Sequence, residues 1–219
     1  MSLLAYLAVG ACLCGCRTGF LSVQKKARQE LPPGIVLPRE KIEKWRELVN
    51  SAKDSGSAAT ATARLQEAFQ GEDDPQLRAE LVRLAGSLPP EAAWPIVELG
   101  LRDENPDVQV QACRMVAKAK MAQAVGSLAK LAEESSNQDV RQAAIKALGQ
   151  FKDPVAIQAL AKALRDRDPA IQYLAIHSLR TVTGQDFGYD VAQWLAFLEG
   201  RQNPPQPTRA MATRPTQRR

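Results

Sequence analysis

One histidine, His177, stands in 219 residues, and that scarcity removes whole classes of chemistry. No Ser/His/Asp or Cys/His set can be assembled around it, because the second partner of every such scheme is missing. A lone His beside Ile176 in a helical pattern reads as a packed or surface residue. No glycine-rich loop able to cradle phosphate is present. Carboxylates are scattered over turns and caps, with no pair placed across a cleft. Aromatics make up 5% of the chain, which together with abundant alanine suits closely packed helices. Of the four cysteines, Cys12, Cys14 and Cys16 cluster at the start and Cys113 stands alone, so no disulfide framework exists. No catalytic residue, no metal site and no cofactor are expected. Long apolar runs are also missing: the longest, Leu3 to Leu13, is too short to span a bilayer.

The net charge of +5 misleads as a whole. Residues 201–219 hold Arg201, Arg209, Arg214, Arg218 and Arg219 and no acid, and residues 1–38 set Arg17, Lys25, Lys26 and Arg28 against Glu30. The flanks are therefore basic, and residues 39–200 are negative by three charges.

What the chain does have is a repeat. From Asn137 to Asp166, Val140, Ala143, Ala144, Ala147 and Leu148 form one apolar helical face. Gly149 is expected to stop that helix in the left-handed conformation. Asp153-Pro154 starts a second helix, an N-cap oxygen followed by a ring preset for the first turn. Ile157, Leu160 and Leu164 are its expected buried stripe. Such a hairpin cannot bury its faces alone and needs neighbours of its own kind. They are present: Leu77, Val108, Val140 and Ile171 recur at near-equal intervals, one to each repeat. Leu81, Ala112, Ala144 and Ala175 follow in register, as do Val82, Cys113, Ile145 and Ile176, and Ala85, Val116, Leu148 and Leu179. The starts match too, at Asp74-Pro75, Asn105-Pro106, Asn137-Gln138 and Asp168-Pro169.

This pattern, D-x-x-V-R-x-x-A-I-x-A-L-G with Asn137 for the first Asp, resembles the bacterial HEAT repeat, in the short variant also found in phycobilisome-lyase-like proteins. The resemblance covers residues 39–199. It implies an all-α fold, a right-handed α-α superhelix of the HEAT/armadillo type with about five helical hairpins. A fold of this kind hosts scaffolds, transport receptors and a few enzymes, so it does not specify function.

The first hairpin is divergent, as terminal repeats are. Its first helix is expected at Pro38 to Asp54, with Ile42, Trp45, Leu48 and Val49 on one side. Its second is expected at Ala58 to Gln70, where Leu65 and Phe69 lie one repeat before Val97 and Leu101. Pro95, inside the second helix of the next hairpin, is expected to force a late start or a kink. At the far end T-G-Q-D-F-G-Y-D followed by a tryptophan resembles a closing motif of bacterial HEAT-repeat proteins. Asp186 and Asp190 there could be read as a cation site, but calcium needs 6–8 oxygens. The expectation is that Asp190 caps a last helix and that Phe187, Tyr189 and Trp194 seal the core.

The N-terminus resembles a lipoprotein signal peptide over residues 1–15. The apolar run ends at Leu13-Cys14-Gly15-Cys16, like the lipobox whose cysteine is acylated in bacterial lipoproteins. Val9-Gly10-Ala11-Cys12 fits loosely as well; Cys16 leaves the longer apolar core and is the favoured lipidation site. No Lys or Arg precedes the run, although signal peptides normally carry one. The same leader explains the C-x-C-x-C spacing better than a metal or redox site does. Residues 16–38, broken by Pro32-Pro33-Gly34 and Pro38, read as a linker. The Pro- and Arg-rich residues 200–219 read as disordered.

The resemblance and the leader together imply a non-enzymatic, lipid-anchored scaffold of the bacterial cell envelope, facing the periplasm. Its partner is a protein, its membrane contact is the lipid anchor, and nucleic acid is not expected. Second helices of stacked hairpins usually line the inner curve, and there Arg102, Lys130, Lys162 and Arg165 offer a basic partner-binding face. Lys130 and Lys162 hold equivalent positions in successive repeats and should stand side by side, with Glu133 and Asp166 interrupting the stripe. Two rival readings are a phycobilin-lyase-like chaperone or enzyme, and a polyanion binder acting through the arginine tail.

Overall fold

The computed structural model describes residues 37–52 and 54–200. Cys16, the expected signal peptide, the expected linker up to residue 36 and the tail from residue 201 lie outside them, while Pro38, placed at the linker's end, opens the first helix. Ten α-helices and no strand occur among the described residues. They are α1 (Pro38–Ser51), α2 (Ser55–Gln70), α3 (Pro75–Ala85), α4 (Pro90–Leu101), α5 (Pro106–Ala119), α6 (Val125–Glu134), α7 (Gln138–Leu148), α8 (Pro154–Ala163), α9 (Pro169–Thr183) and α10 (Val191–Leu198). A 3-10 turn, Ala122–Ala124, precedes α6. Successive helices pair into five hairpins, an α-α solenoid.

Caps start the helices where their side chains require. Asp74, Asn105, Asn137 and Asp168 each accept the backbone N–H two residues on, at 2.8, 2.9, 2.9 and 2.8 Å. Each such bond satisfies one of the donors a helix start leaves orphaned. Asp153 does the same for α8, from Val155 at 2.7 Å. Asp54 and Ser57 form a reciprocal capping box, so α2 begins at Ser55 and not at Ala58.

The four repeated apolar columns are the core. Leu81, Ala112, Ala144 and Ala175 are wholly buried, as are Ala85, Val116, Leu148 and Leu179. First helices pack side by side as α1, α3, α5, α7 and α9. In the second layer the close pairings are α2 with α4 and α6 with α8.

Four expectations need correction. Gly149 is right-handed, φ −63° and ψ −3°; it is small because α9 passes close, not because the chain turns left-handed there. Ile157 is half-buried, while Ala156, Ala159, Leu160, Ala163 and Leu164 form the buried face of α8. The buried face is turned away from Ile157, since α8 meets its neighbours through alanines. Pro95 does not delay α4, which begins at Pro90 and runs through it. Of the late start and the kink expected from Pro95, only the late start is thereby ruled out. Finally, Phe187 and Trp194 seal the end as a T-shaped pair at 4.9 Å, but Tyr189 is 65% exposed and stacks outside on Tyr173. Asp190 caps α10 by accepting the Gln193 N–H at 3.0 Å.

Candidate functional site: the second-helix grooves

A buried clasp orders the loops that carry the candidate cations. Arg78 on α3 grips Asp103, just past α4, with two bonds: Nε to Oδ2 at 2.7 Å and Nη2 to Oδ1 at 2.9 Å. Its Nη1 donates to the carbonyls of Glu72 and Asp73. Asp103 Oδ1 also accepts the Asn105 N–H at 2.8 Å, and its carbonyl accepts Gln109 Nε2 at 2.8 Å. Both charges are buried, so each needs this complete set of partners. The Asp103 bond also raises the Arg78 pKa further above its ordinary value.

The arrangement recurs two hairpins later. Arg141 pairs with Asp166, Asp168 N–H donates to Asp166 at 2.8 Å, and Gln172 Nε2 donates to the Asp166 carbonyl at 2.7 Å. The hairpins thus alternate, Arg then Gln, at the position after Leu77, Val108, Val140 and Ile171. Sequence reasoning passed over these residues because it followed apolar columns. The signal was there as an Arg–Asp spacing of 25 occurring twice.

The clasped loops set Arg102 beside Asp103 and Arg165 beside Asp166. Between α4 and α6 opens a groove of about 830 Å³. Arg102 and Lys130 both line it, and so do Glu104 and Glu134, with Ser127, Ser135, Ser136, Asn137 and Gln109 supplying uncharged polar groups. Arg165 lines a separate groove of about 370 Å³ between α8 and α10, with Ile157, Leu195 and Leu198. Lys162 lines neither of these two grooves; it crosses from α8 to Glu133 of α6, at 2.8 Å. A third groove, about 560 Å³ between α2 and α4, is lined by Ala58, Ala59, Ala63, Ala92 and Pro95.

The four sequence-derived cations are therefore not one stripe. Arg102 and Lys130 share a site, and Lys162 and Arg165 stand apart from it. Each also has an acid of its own: Arg102 with Glu98 at 2.7 Å, Lys130 with Glu134 at 3.9 Å, Lys162 with Glu133, and Arg165 with Glu199 at 2.8 Å. Glu133 joins α6 to α8, and Asp166 belongs to the clasp, which is why both acids interrupt the basic face. Exposed pairs of this kind contribute about 0–1 kcal/mol, so a partner's carboxylate can replace them at small cost.

The residues lining the groove between α4 and α6 include no histidine or cysteine to act as base or nucleophile. Asp186 is bound to Arg180 at 2.7 Å and Asp190 caps a helix, so the two carboxylates of the closing loop serve different partners. Among the described residues no cluster of three or more His, Cys, Asp or Glu could hold a metal ion. Cys113 is fully buried, and burial pushes its thiol up to about 12.

Residues 95–180 match the family model for HEAT repeats. That segment runs from α4 into α9. No curated protein matches the chain. Among solved structures, an engineered protein from a structural genomics consortium is similar at 18% identity, covering 76% of this chain and 83% of its own, with a TM-score of 0.47. A designed armadillo repeat protein in complex with a (KR)4 peptide is similar at 15% identity, covering 74% and 81%, with a TM-score of 0.45.

Proposed function

We propose that this protein is a non-enzymatic scaffold, lipid-anchored in the bacterial cell envelope through Cys16, that seats an extended segment of a partner protein, carrying both acidic and basic side chains, in the groove between α4 and α6. The observation that carries the reading is the meeting of Arg102 and Lys130 in one polar groove, each restrained only by a surface ion pair. Arg102 and Lys130 would face carboxylates of that segment, Glu104 and Glu134 its cations, and Ser127, Ser135, Ser136 and Asn137 would bond the amides of an extended chain. HEAT-type hairpins support the reading because stacked repeats present extended surfaces to their partners. Anchoring rests on the Leu13-Cys14-Gly15-Cys16 motif: acyl chains bind a bilayer by about 0.8 kcal/mol per buried CH₂, whereas tail arginines are screened by salt.

The test is a crosslinked pulldown from bacterial membranes. An Arg102→Glu, Lys130→Glu variant keeps native helicity and loses its partners, while a chain lacking residues 201–219 keeps them. The reverse result would assign binding to the tail. In the same preparation Cys16→Ser moves the protein to the soluble fraction; retention on membranes would point to Cys12 or to a different anchor.

A further inference from the structure

The opposite face carries charges of another kind. Arg114 on α5 and Lys146 on α7 occupy equivalent positions in successive repeats, and so do Asp107 and Asp139 at the starts of the same two helices. All four line one groove of about 550 Å³ between α5 and α7. All four are exposed, and among the described residues none of them forms an ion pair. Some surface charges are paired within the chain, as Arg83 is with Glu80 and Arg180 with Asp186; Asp107, Arg114, Asp139 and Lys146 are distinguished by lying together on one groove in register.

The charges are also sorted. On each helix the acid is in the first turn and the base two turns further on, about 10 Å along the axis at ~1.5 Å per residue. Helix dipoles favour this order within each helix. The order also makes the groove net neutral, so a polyanion would meet two carboxylates as well as two cations. What fits it is the same face turned end for end.

We propose that α5 and α7 join two copies of this chain about a two-fold axis lying in the interface and perpendicular to the helices. That operation stacks α5 on α5 and α7 on α7 with reversed direction. Asp107 then meets the partner copy's Arg114, and Asp139 the partner copy's Lys146, each twice, as an isologous interface requires. A two-fold axis parallel to the helices would set acid on acid and base on base. Half-buried Val110 and Ala143 supply apolar contact between the charged ends. This face is distinct from the second-helix grooves, so a dimer leaves the proposed partner site open.

Sedimentation equilibrium of the full chain in density-matched detergent tests this. At low ionic strength wild type is a dimer, and added salt shifts it toward monomer. An Arg114→Glu, Lys146→Glu variant is monomeric, and so is an Asp107→Lys, Asp139→Lys variant, both with wild-type circular dichroism. Mixed in equal amounts, the two variants recover a heterodimer. A monomeric wild type, a dimer in either variant alone, or no recovery on mixing would each overturn the proposal. So would a monomer that binds phosphatidylglycerol vesicles through Arg114 and Lys146, which would make the face a lipid surface.

Discussion

Gly149 and Ser178 hold α7 and α9 together at a separation that admits no methyl group. A Cβ on Gly149 would lie 2.8 Å from both Cβ and Oγ of Ser178 and 3.1 Å from its Cα. The Ser178 hydroxyl uses the same closeness to donate to the Ile145 carbonyl at 3.1 Å. Gly86 is the equivalent residue in the second hairpin, and there a Cβ would meet Met115 Sδ at 2.5 Å.

Gly149→Ala is expected to destabilise the fold by about 1–3 kcal/mol, because backbone must move. Gly86→Ala costs less, since a thioether swings aside. Urea midpoints followed by circular dichroism compare the two. Equal costs would mean that α7 and α9 are not so close.

Asp103→Ala leaves the buried Arg78 guanidinium without its main acceptor, and a broken buried pair costs about 3–5 kcal/mol. Asp166→Ala is expected to cost less, as Arg141 and Asp166 keep side-chain exposures of 23% and 21% against 11% and 5% for Arg78 and Asp103. The same denaturation experiment ranks them, and a larger loss for Asp166→Ala would contradict the clasp geometry.

Acid should unfold the protein through specific carboxylates. The Asp168 N–H, with Arg141 beside it, holds Asp166 below its ordinary pKa. The Ser57 N–H does the same for Asp54, and the Gln193 N–H for Asp190. With the folded value lower than the unfolded one, the unfolded chain takes up more protons on acidification, so stability rises with pH. This contribution is complete above the unfolded value of about 3.9 and is lost as pH falls through the folded values. Asp166→Asn should flatten the acid limb of a stability–pH curve; an unchanged limb would remove Asp166 from the account.

Cys113 should resist alkylation at neutral pH in the native state and react once urea opens the fold, since burial keeps its thiol protonated. Site-resolved mass spectrometry follows Cys113 by its own peptide, whatever the processing of the N-terminal cysteines. Native labelling as fast as in urea would show that the Val82, Cys113, Ile145 column is open to solvent.

Periods and caps are local properties, and the sequence alone determined them. Val140, Ala144, Ile145 and Leu148 had to share one face, and Asp153-Pro154 had to begin a helix, whatever surrounded them. Helix count and hairpin register follow from those spacings. What only the tertiary structure decided depends on how far one helix stands from the next. Gly149 marks a close approach and not a left-handed turn; Ile157 edges a groove because α8 is buried through its alanines. Tyr189 lies outside on Tyr173 while Phe187 closes the core. Lys130 and Arg102 line one groove that Lys162 does not, because the second helices pair as α2 with α4 and α6 with α8, leaving a groove between α4 and α6. Spacing along a chain specifies which residues share a helix face, but the offset between helices selects which charges meet across it.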